Sequence, residues 1–258
     1  MTATNPSHIA RFARNAYNAI AREYNSPGHD TVRNFEAITR HWLERHLELS
    51  GRLPLPGSVA VDIGGGRGWL AQRWREAGYV SVLCDLAERM LWESRRTYGK
   101  DLLYCQLSAF ALPFRRGCAS LVSSTLCGAY LTPAVVQEVW STLKCGGLYV
   151  LTETPLGWAR ATQPKRGMPT GKTWFTLSGG EQVLLPFLFL YELDDIARLL
   201  AGNGFRVLTA EYLSPDGALE VSAISEVNRE AARALESPPK SIPILWAIIA
   251  EKTSEERV

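Results

Sequence analysis

Positions 59–68 read VAVDIGGGRG, a short apolar run that ends in four closely spaced glycines. The apolar residues predict a buried strand, and the residues from Trp69 onward predict a helix that ends at Gly78. Glycine accepts positive φ and lets the backbone approach a ligand without a Cβ in the way. A helix N-terminus adds free N–H groups and a partial positive charge. The stretch therefore predicts a strand-turn-helix that binds a carboxylate or a phosphate.

Two classes of ligand suit such a turn. The dinucleotide pattern G-x-G-x-x-G, counted from Gly64, requires a small residue at the position of Trp69. Counted from Gly66, the same pattern half fits and ends at Ala71. Asp62 separates the two readings better, because its carboxylate attracts an ammonium group and would repel a pyrophosphate. This residue favours a ligand with an amino group, bound directly or through a water.

Strand and helix patterns alternate after position 58, which predicts an α/β fold with a parallel sheet covered by helices. We expect further strands at 80–84, 102–107, 120–124, 147–153, 205–212 and 244–250. We expect helices at 88–98, 133–143 and 192–203, and one on each side of a break at 25–28. Residues 1–57 are interpreted as an N-terminal helical cap with a linker, and residues 58–258 as the main domain. Two insertions are predicted within that domain, an irregular one at about 155–190 and one at 214–241 with a helix near 226–236.

Composition excludes several classes of protein. Charged residues are 21% of the 258 and give a formal net charge of +2, which disfavours nucleic acid as a partner. The longest apolar run, 183–190, is far shorter than the ~20 residues of a membrane span. The five cysteines form no C-x-x-C pair, and the histidines show no metal-ligand spacing, so we expect no bound metal. These features predict a cytoplasmic protein with reduced thiols, and they leave open whether it is a monomer or a homodimer.

Five stretches together resemble the class I methyltransferases, in particular the type 11 branch related to ubiquinone and menaquinone biosynthesis methyltransferases. Positions 62–68 are similar to that family's D/E-x-G-x-G-x-G motif, and CDLAERML at 84–91 is similar to its D-x-S-x-x-M-L. LPF at 112–114 and LKCGG at 143–147 match two further elements, the second of which has proline in place of Cys145. YNAIAREYN at 17–25 is similar to the family's N-terminal Y-D-x-x-A-x-x-Y-D. The order of the five elements spans nearly the whole chain.

The resemblance implies a Rossmann-like fold with a seven-stranded, mostly parallel sheet, one reversed strand and helices on both faces. It implies S-adenosylmethionine as cofactor, with Asp85 accepting hydrogen bonds from both ribose hydroxyls. Ser108 stands where the family has an acidic residue that contacts the adenine amino group. The implied cofactor-binding residues are Tyr17, Asp62, Gly64, Gly66, Gly68, Asp85, Leu86, Met90, Ser108, Ala109 and Phe110.

Departures from the family pattern leave a second function open. Ser108 lacks the family's charge, and Ala119-Ser120 replaces the usual Phe-Asp of the fourth strand. A degenerate protein that binds the cofactor without transferring its methyl group would show such changes. An RNA methyltransferase is a third alternative and a nicotinamide oxidoreductase a fourth, although the near-neutral charge disfavours the former and Asp62 the latter.

The resemblance implies methyl transfer to carbon, oxygen or nitrogen of a small molecule. The sulfonium is already a good electrophile, so orientation is the main requirement and no triad is needed. Tyr24 is a candidate to face the positive sulfur. His29 is a candidate general base, although a helix start at Asp30 with an exposed His29 explains the pair better. Aromatic residues are frequent at 158–191, which suits an aromatic or hydrophobic acceptor, although core packing also accounts for them.

Overall fold

The computed structural model describes residues 6–24, 26, 29–49, 57–127, 131–162, 172–186 and 191–253. The predicted break at 25–28 and most of the linker before position 57 lie outside these residues. The helices are α1 (Pro6–Tyr24), α2 (Asp30–Leu49), α3 (Trp69–Glu76), α4 (Glu88–Tyr98), α5 (Pro133–Thr142), α6 (Leu156–Thr162), α7 (Leu193–Ala201) and α8 (Glu226–Ala234). The strands are β1 (Val59–Ile63), β2 (Val80–Asp85), β3 (Leu103–Gln106), β4 (Ala119–Thr125), β5 (Leu143–Glu153), β6 (Lys172–Thr176), β7 (Gln182–Pro186), β8 (Phe205–Leu213) and β9 (Leu245–Lys252).

Seven strands form one sheet in the order β3-β2-β1-β4-β5-β9-β8. Strands β1 to β5 pair in parallel, whereas β9 runs antiparallel to both β5 and β8. The predicted seven-stranded α/β sheet with a single reversed strand is therefore confirmed. Chain order reverses at β1 and β4, so a crevice opens at the carboxyl ends of these strands, where open α/β sheets bind their ligands.

Both faces of the sheet are buried, which explains the continuous apolar runs of its strands. In β1, Ala60 packs with Trp74 of α3 and with α2, α6 and α8. Its neighbour Val61 packs on the opposite side with Trp140 of α5 and with α7. Strand side chains alternate between faces, so consecutive apolar residues serve two separate cores. The described helices therefore cover both faces, as predicted.

The first insertion is more regular than its composition predicts. Where an irregular segment was expected at about 155–190, the structure has α6 and an antiparallel hairpin of β6 and β7. The hairpin closes at Gly180, which has φ of 83°, and Leu177 N–H donates to the Glu181 carbonyl at 2.8 Å. Pairing between the two strands and burial of Phe175 and Leu185 stabilise this hairpin, and neither interaction is visible in local composition. Residues 163–171 and 187–190 of the same stretch lie outside the described residues.

Helix α1 packs against α4 and the hairpin. Ile20, Met90, Phe175 and Leu185 are buried together at this contact. Polar contacts at the rim add to it, since the side chain of Glu23 accepts hydrogen bonds from the Ser178 hydroxyl at 2.6 Å and its N–H at 2.9 Å. The contact positions α1 beside the N-terminus of α4.

A buried polar network connects α2 to the second insertion. The side chain of Asn34 donates to the Ala223 carbonyl at 2.9 Å and accepts from the N–H of Ser225 at 2.7 Å and from Asn228 at 3.1 Å. Asn228 in turn accepts from the indole of Trp158 in α6 at 3.0 Å. Removing one member would leave buried partners unsatisfied, so the network holds α2 in one orientation. In the described part of the chain, no helix is both long and apolar enough to span a membrane.

Candidate cofactor-binding site

The turn between β1 and α3 has three glycines with positive φ. Gly64, Gly66 and Gly68 have φ of 64°, 47° and 79°, a region that other residues rarely enter. A Cβ at Gly68 would lie 2.3 Å from Ser94 Oγ of α4, so no side chain fits there. The N–H of Gly68 donates to the Gly65 carbonyl at 2.8 Å and closes the turn. The sequence pattern and the structure agree on a strand-turn-helix at this point.

Asp62 lies beneath this turn. Its side chain is fully buried, and its Oδ1 accepts a hydrogen bond from Ser123 Oγ of β4 at 2.6 Å. The indole of Trp74 donates to the same hydroxyl at 2.9 Å. Burial raises the pKa of Asp62 to about 7. Asp62 therefore supports the turn from the sheet side, and its contact with an ammonium group stays a prediction.

Asp85, at the end of β2, faces the turn. Its Oδ2 accepts the N–H of Gly66 at 3.1 Å, and its Oδ1 accepts the N–H of Ala87 at 2.8 Å, at the start of α4. Burial raises the pKa of this carboxyl to about 6, against the lowering effect of the backbone hydrogen bonds. The carboxylate is thus held in one orientation, with lone pairs left to accept further hydrogen bonds.

These elements line a cavity that is partly open to solvent, with about 1020 Å³ of empty space including its opening. Its wall is formed by α1, α2, the turn, the ends of β1, β2 and β4, and the loop after β3. Nine predicted site residues line it: Tyr17, Tyr24, Gly64, Gly66, Asp85, Leu86, Met90, Ser108 and Ala109. Four predicted site residues lie outside its lining: His29, Asp62, Gly68 and Phe110. Of these, Gly68 and Asp62 shape the turn from behind.

The loop after β3 forms the predicted adenine end of the cavity. Ser108 Oγ accepts the N–H of Phe110 at 3.3 Å, and its carbonyl accepts the N–H of Ala111 at 3.1 Å. The Phe110 ring joins an apolar cluster with Ile9 and Val135. The Ser108 hydroxyl therefore stabilises its own loop while it faces the cavity.

His29 caps helix α2, which begins at Asp30 as expected. Its Nδ1 accepts the N–H of Val32 at 3.3 Å, as N-cap side chains do. The ring stacks on Phe175 with a centroid distance of 4.6 Å and an interplanar angle of 12°. Burial lowers the pKa of His29, so the ring is neutral and carries its proton on Nε2. The predicted exposed His29 is wrong, since the ring is half-buried.

Tyr24 lines the cavity with Tyr17, and their rings meet edge to face at 6.3 Å. Burial raises the pKa of Tyr24, and the carboxylates of Glu153 and Asp85 raise it further. Its phenol therefore stays protonated at neutral pH. The side chain can donate a hydrogen bond and offer an aromatic face, but it is not poised to accept a proton.

Several lining residues were not predicted. Thr125 ends β4, Leu126 and Cys127 follow it, and Leu126 has φ of 55°. Their position at the carboxyl end of a strand next to β1 is the signal that could have identified them. From α2, the lining residues Val32, Phe35, Glu36 and Thr39 occupy one helical face, at the spacing i, i+3, i+4, i+7. Among the described residues, no group of three His, Cys, Asp or Glu side chains is placed to hold a metal.

The sheet order and the cavity at the carboxyl ends of β1, β2 and β4 define a class I methyltransferase fold. Residues 61–151 match the Methyltransf_11 family, whose description is a methyltransferase domain. This stretch of the chain therefore matches a methyltransferase domain, in agreement with the resemblance to the class I S-adenosylmethionine-dependent methyltransferases. The matched residues contain the end of β1, the whole turn, β2 to β4 and most of β5.

One curated relative matches about half of this chain. The malonyl-[acyl-carrier protein] O-methyltransferase of Erwinia pyrifoliae is 30% identical over 138 residues. The match covers 51% of this chain and 47% of the relative, so the chain spans about half the length of that protein.

Solved structures share the fold at low sequence identity. The 1,6-didemethyltoxoflavin-N1-methyltransferase of Burkholderia thailandensis, solved with S-adenosylhomocysteine and 1,6-didemethyltoxoflavin, has a TM-score of 0.60 at 12% identity. The match covers 98% of this chain and 93% of that one. A chain of the complex between the Haloferax volcanii Trm112 methyltransferase activator and a methyltransferase has a TM-score of 0.64 at 16% identity, covering 95% and 100%. At these identities the likeness establishes the fold alone.

Proposed function

We propose that this protein binds S-adenosylmethionine in the cavity above β1 and β2 and transfers its methyl group to a small aromatic or hydrophobic molecule. The observation that carries the proposal is the Asp85 carboxylate in the cavity wall, fixed beside the backbone of Gly64 and Gly66. The match of residues 61–151 supports the same activity. A relative solved with S-adenosylhomocysteine supports the cofactor.

The residues present fit this cofactor. Asp85 has free acceptor capacity for the two ribose hydroxyls, and Ser108 with Ala109 provides the wall for the adenine ring. Leu86 and Met90 add apolar surface to the same cavity. We assign Gly68, Asp62 and Phe110 indirect roles, because each supports the turn or the loop from behind.

The cofactor supplies an electrophilic methyl group, so the protein has to orient an acceptor and exclude water. Orientation alone lowers such a barrier by about 7–11 kcal/mol. We propose that Tyr24 and Tyr17 contribute aromatic faces near the sulfonium. The His29 ring lies beside that of Tyr24 at a centroid distance of 6.2 Å and stacks on Phe175, so we propose that it supports the Tyr24 ring. Its Nδ1 is occupied by the N–H of Val32. A role for His29 as general base stays a prediction that this hydrogen bond disfavours.

We also propose that the two parts of the chain have different roles. The cap, residues 1–57, would close the cofactor cavity and contact the acceptor, while residues 58–258 hold the cofactor. The lining residues of α1 and α2 support this division, since both helices belong to the cap and face the turn. We propose a cytoplasmic location on the basis of the free cysteines.

Methyl transfer is tested directly by incubating the protein with methyl-labelled S-adenosylmethionine and a fractionated cell extract. We expect label in the small-molecule fraction and calorimetric binding of S-adenosylhomocysteine, but no binding of NAD. Label confined to RNA would instead identify an RNA methyltransferase. Binding without any transfer would identify the non-catalytic alternative. No heat with S-adenosylhomocysteine would refute the proposal as a whole.

Cofactor affinity is expected to decrease below pH 6. The free protein holds Asp85 with a pKa of about 6, and hydrogen bonds from ribose hydroxyls would lower this pKa in the complex. Affinity is therefore full above pH 6 and decreases by up to about tenfold per pH unit as the carboxylate takes up a proton. Calorimetry with S-adenosylhomocysteine between pH 5 and pH 8 measures the effect. The affinity of Asp85→Asn should no longer decrease at low pH. If this variant kept the wild-type pH profile, the assignment would be contradicted.

A further inference from the structure

A second, open cleft adjoins the cofactor cavity. It has a volume of about 1450 Å³ and lies between α2 and the segment 217–229 of the second insertion. Two side chains, Glu36 and Arg67, line both the cleft and the cavity. A molecule in the cleft would therefore reach the cofactor cavity past these two residues.

Arg67 has unused hydrogen-bonding capacity at this junction. Its Nη1 is buried and has no hydrogen-bond partner among the described residues. Its Nε lies 3.8 Å from Glu36 Oε2, which is too long for a hydrogen bond. A buried guanidinium nitrogen without an acceptor is energetically costly, so the position indicates an acceptor that arrives with a ligand.

Glu36 does not satisfy Arg67, because Arg40 already engages it. Arg40 Nη2 lies 3.1 Å from Glu36 Oε1, and its guanidinium also covers the ring of Trp69 at 5.0 Å. Arg40 is thus held by a carboxylate and an aromatic face. Arg67 is the guanidinium at the junction that keeps donors available.

The charge around the cleft sets the class of ligand. Four arginines and three carboxylates line it, which leaves a net charge of one positive with neutral histidine: Arg33, Arg40, Arg67 and Arg229 against Asp30, Glu36 and Glu44. One further carboxylate, Glu226, pairs with Arg229 at 2.9 Å. A polyphosphate or a nucleic acid would meet these carboxylates. A single carboxylate matches the fork of one guanidinium.

We propose that Arg67 binds a carboxylate of the methyl acceptor, which enters through this cleft. The inference rests on the proposed methyltransferase function and narrows its substrate to carboxylate-bearing small molecules. It makes Arg67 a specificity-determining residue within the glycine-rich turn. The same guanidinium could instead bind the carboxylate of the cofactor's own aminoacyl part, and the experiment separates the two.

The first arm measures the cofactor. Calorimetry compares S-adenosylhomocysteine with 5′-methylthioadenosine, which lacks the aminoacyl carboxylate, in the wild type, Arg67→Gln and Arg67→Lys. For each compound, we expect the dissociation constants of the three proteins to agree within about threefold. A loss of S-adenosylhomocysteine affinity in Arg67→Gln, with 5′-methylthioadenosine unaffected, would assign Arg67 to the cofactor and overturn the proposal.

The second arm measures the acceptor side with S-adenosylhomocysteine present at saturation. The probes are malonate, benzoate, 4-hydroxybenzoate and octanoate, each beside its methyl ester. We expect at least one carboxylate to raise the melting temperature of the wild type while its ester does not. Arg67→Gln should bind that carboxylate at least about tenfold more weakly, and Arg67→Lys should recover only part of the affinity.

Arg75→Gln is the matched control. It also removes one arginine charge, but from a side chain of α3 that pairs with Asp101 at 3.2 Å. It should keep the carboxylate response. An equal loss of carboxylate binding in both variants would indicate a general charge effect and contradict a site at Arg67. A wild type that binds S-adenosylhomocysteine but responds to no carboxylate would also contradict it. Absence of S-adenosylhomocysteine binding in the wild type would refute the proposed function instead.

Discussion

Replacing Asp85 by alanine is expected to weaken binding of S-adenosylhomocysteine by about 100-fold or more. The carboxylate would accept two ribose hydroxyls, and hydrogen bonds to a charged group contribute about 1.5–3 kcal/mol each. The substitution also frees the N–H of Gly66, which the carboxylate holds at 3.1 Å, so the turn loses part of its support. Calorimetry on protein shown to be folded by circular dichroism measures the loss.

Two comparisons make this expectation specific. Asp85→Asn keeps one carbonyl oxygen and should bind more tightly than the alanine variant but less tightly than the wild type. Asp101→Ala removes a carboxylate that is 63% exposed and pairs with Arg75 at the surface, and it should leave affinity unchanged. Wild-type affinity in Asp85→Ala would mean that the cofactor site lies elsewhere.

Gly64→Ala should both destabilise the fold and abolish cofactor binding. A Cβ at this position would lie 2.3 Å from Cys127 Sγ and 2.9 Å from its Cβ, far inside van der Waals contact. Overpacking costs about 1–3 kcal/mol, and positive φ adds about 1–2 kcal/mol for a residue with a side chain. We expect the free energy of unfolding to decrease by about 2–5 kcal/mol, as measured by urea denaturation.

Gly146 provides the matched control. Its φ of 73° is close to the 64° of Gly64, but a Cβ there would meet nothing within 4 Å. Gly146→Ala should therefore show the backbone cost alone and bind cofactor normally. Adding Cys127→Ala to Gly64→Ala removes the sulfur and should restore part of the lost stability. Equal destabilisation at the two glycines would show that close packing against Cys127 is unimportant.

Most of the main sheet follows from local sequence. Helix α4 has the predicted bounds of 88–98, and the predicted strands differ from the observed ones by a few residues at their ends. The reason is physical: the central strands β1, β4, β5 and β9 are mostly buried and therefore mainly apolar, and turn formers separate strands from helices. The hairpin of β6 and β7 was missed, because cross-strand pairing and contact with α1 stabilise it more than its own composition does.

The structure brings predicted site residues together where a backbone pattern specifies the position. Glycine spacing located the turn, and the end of a predicted strand located Asp85. The turn follows β1 and Asp85 ends the neighbouring strand β2, so the two lie close together. The exposure of His29 was misjudged, because its stacking on Phe175 depends on a distant element of the chain. Arg67 had no signal as a ligand-binding residue in the sequence. Its unused donor emerges only when α2 brings Glu36 and Arg40 to it.

The sequence alone determined the α/β sheet, the glycine turn and the carboxylate at the end of β2, since short-range sterics and strand burial require particular residues at those positions. The tertiary structure decided which carboxylate faces the cavity and which supports it, and where the two cavities meet. Asp62 and Asp85 have similar local signals, but burial under the turn and the hydrogen bond from Ser123 assign Asp62 to the interior. Such roles depend on contacts between residues far apart in the chain, and no local pattern encodes those contacts.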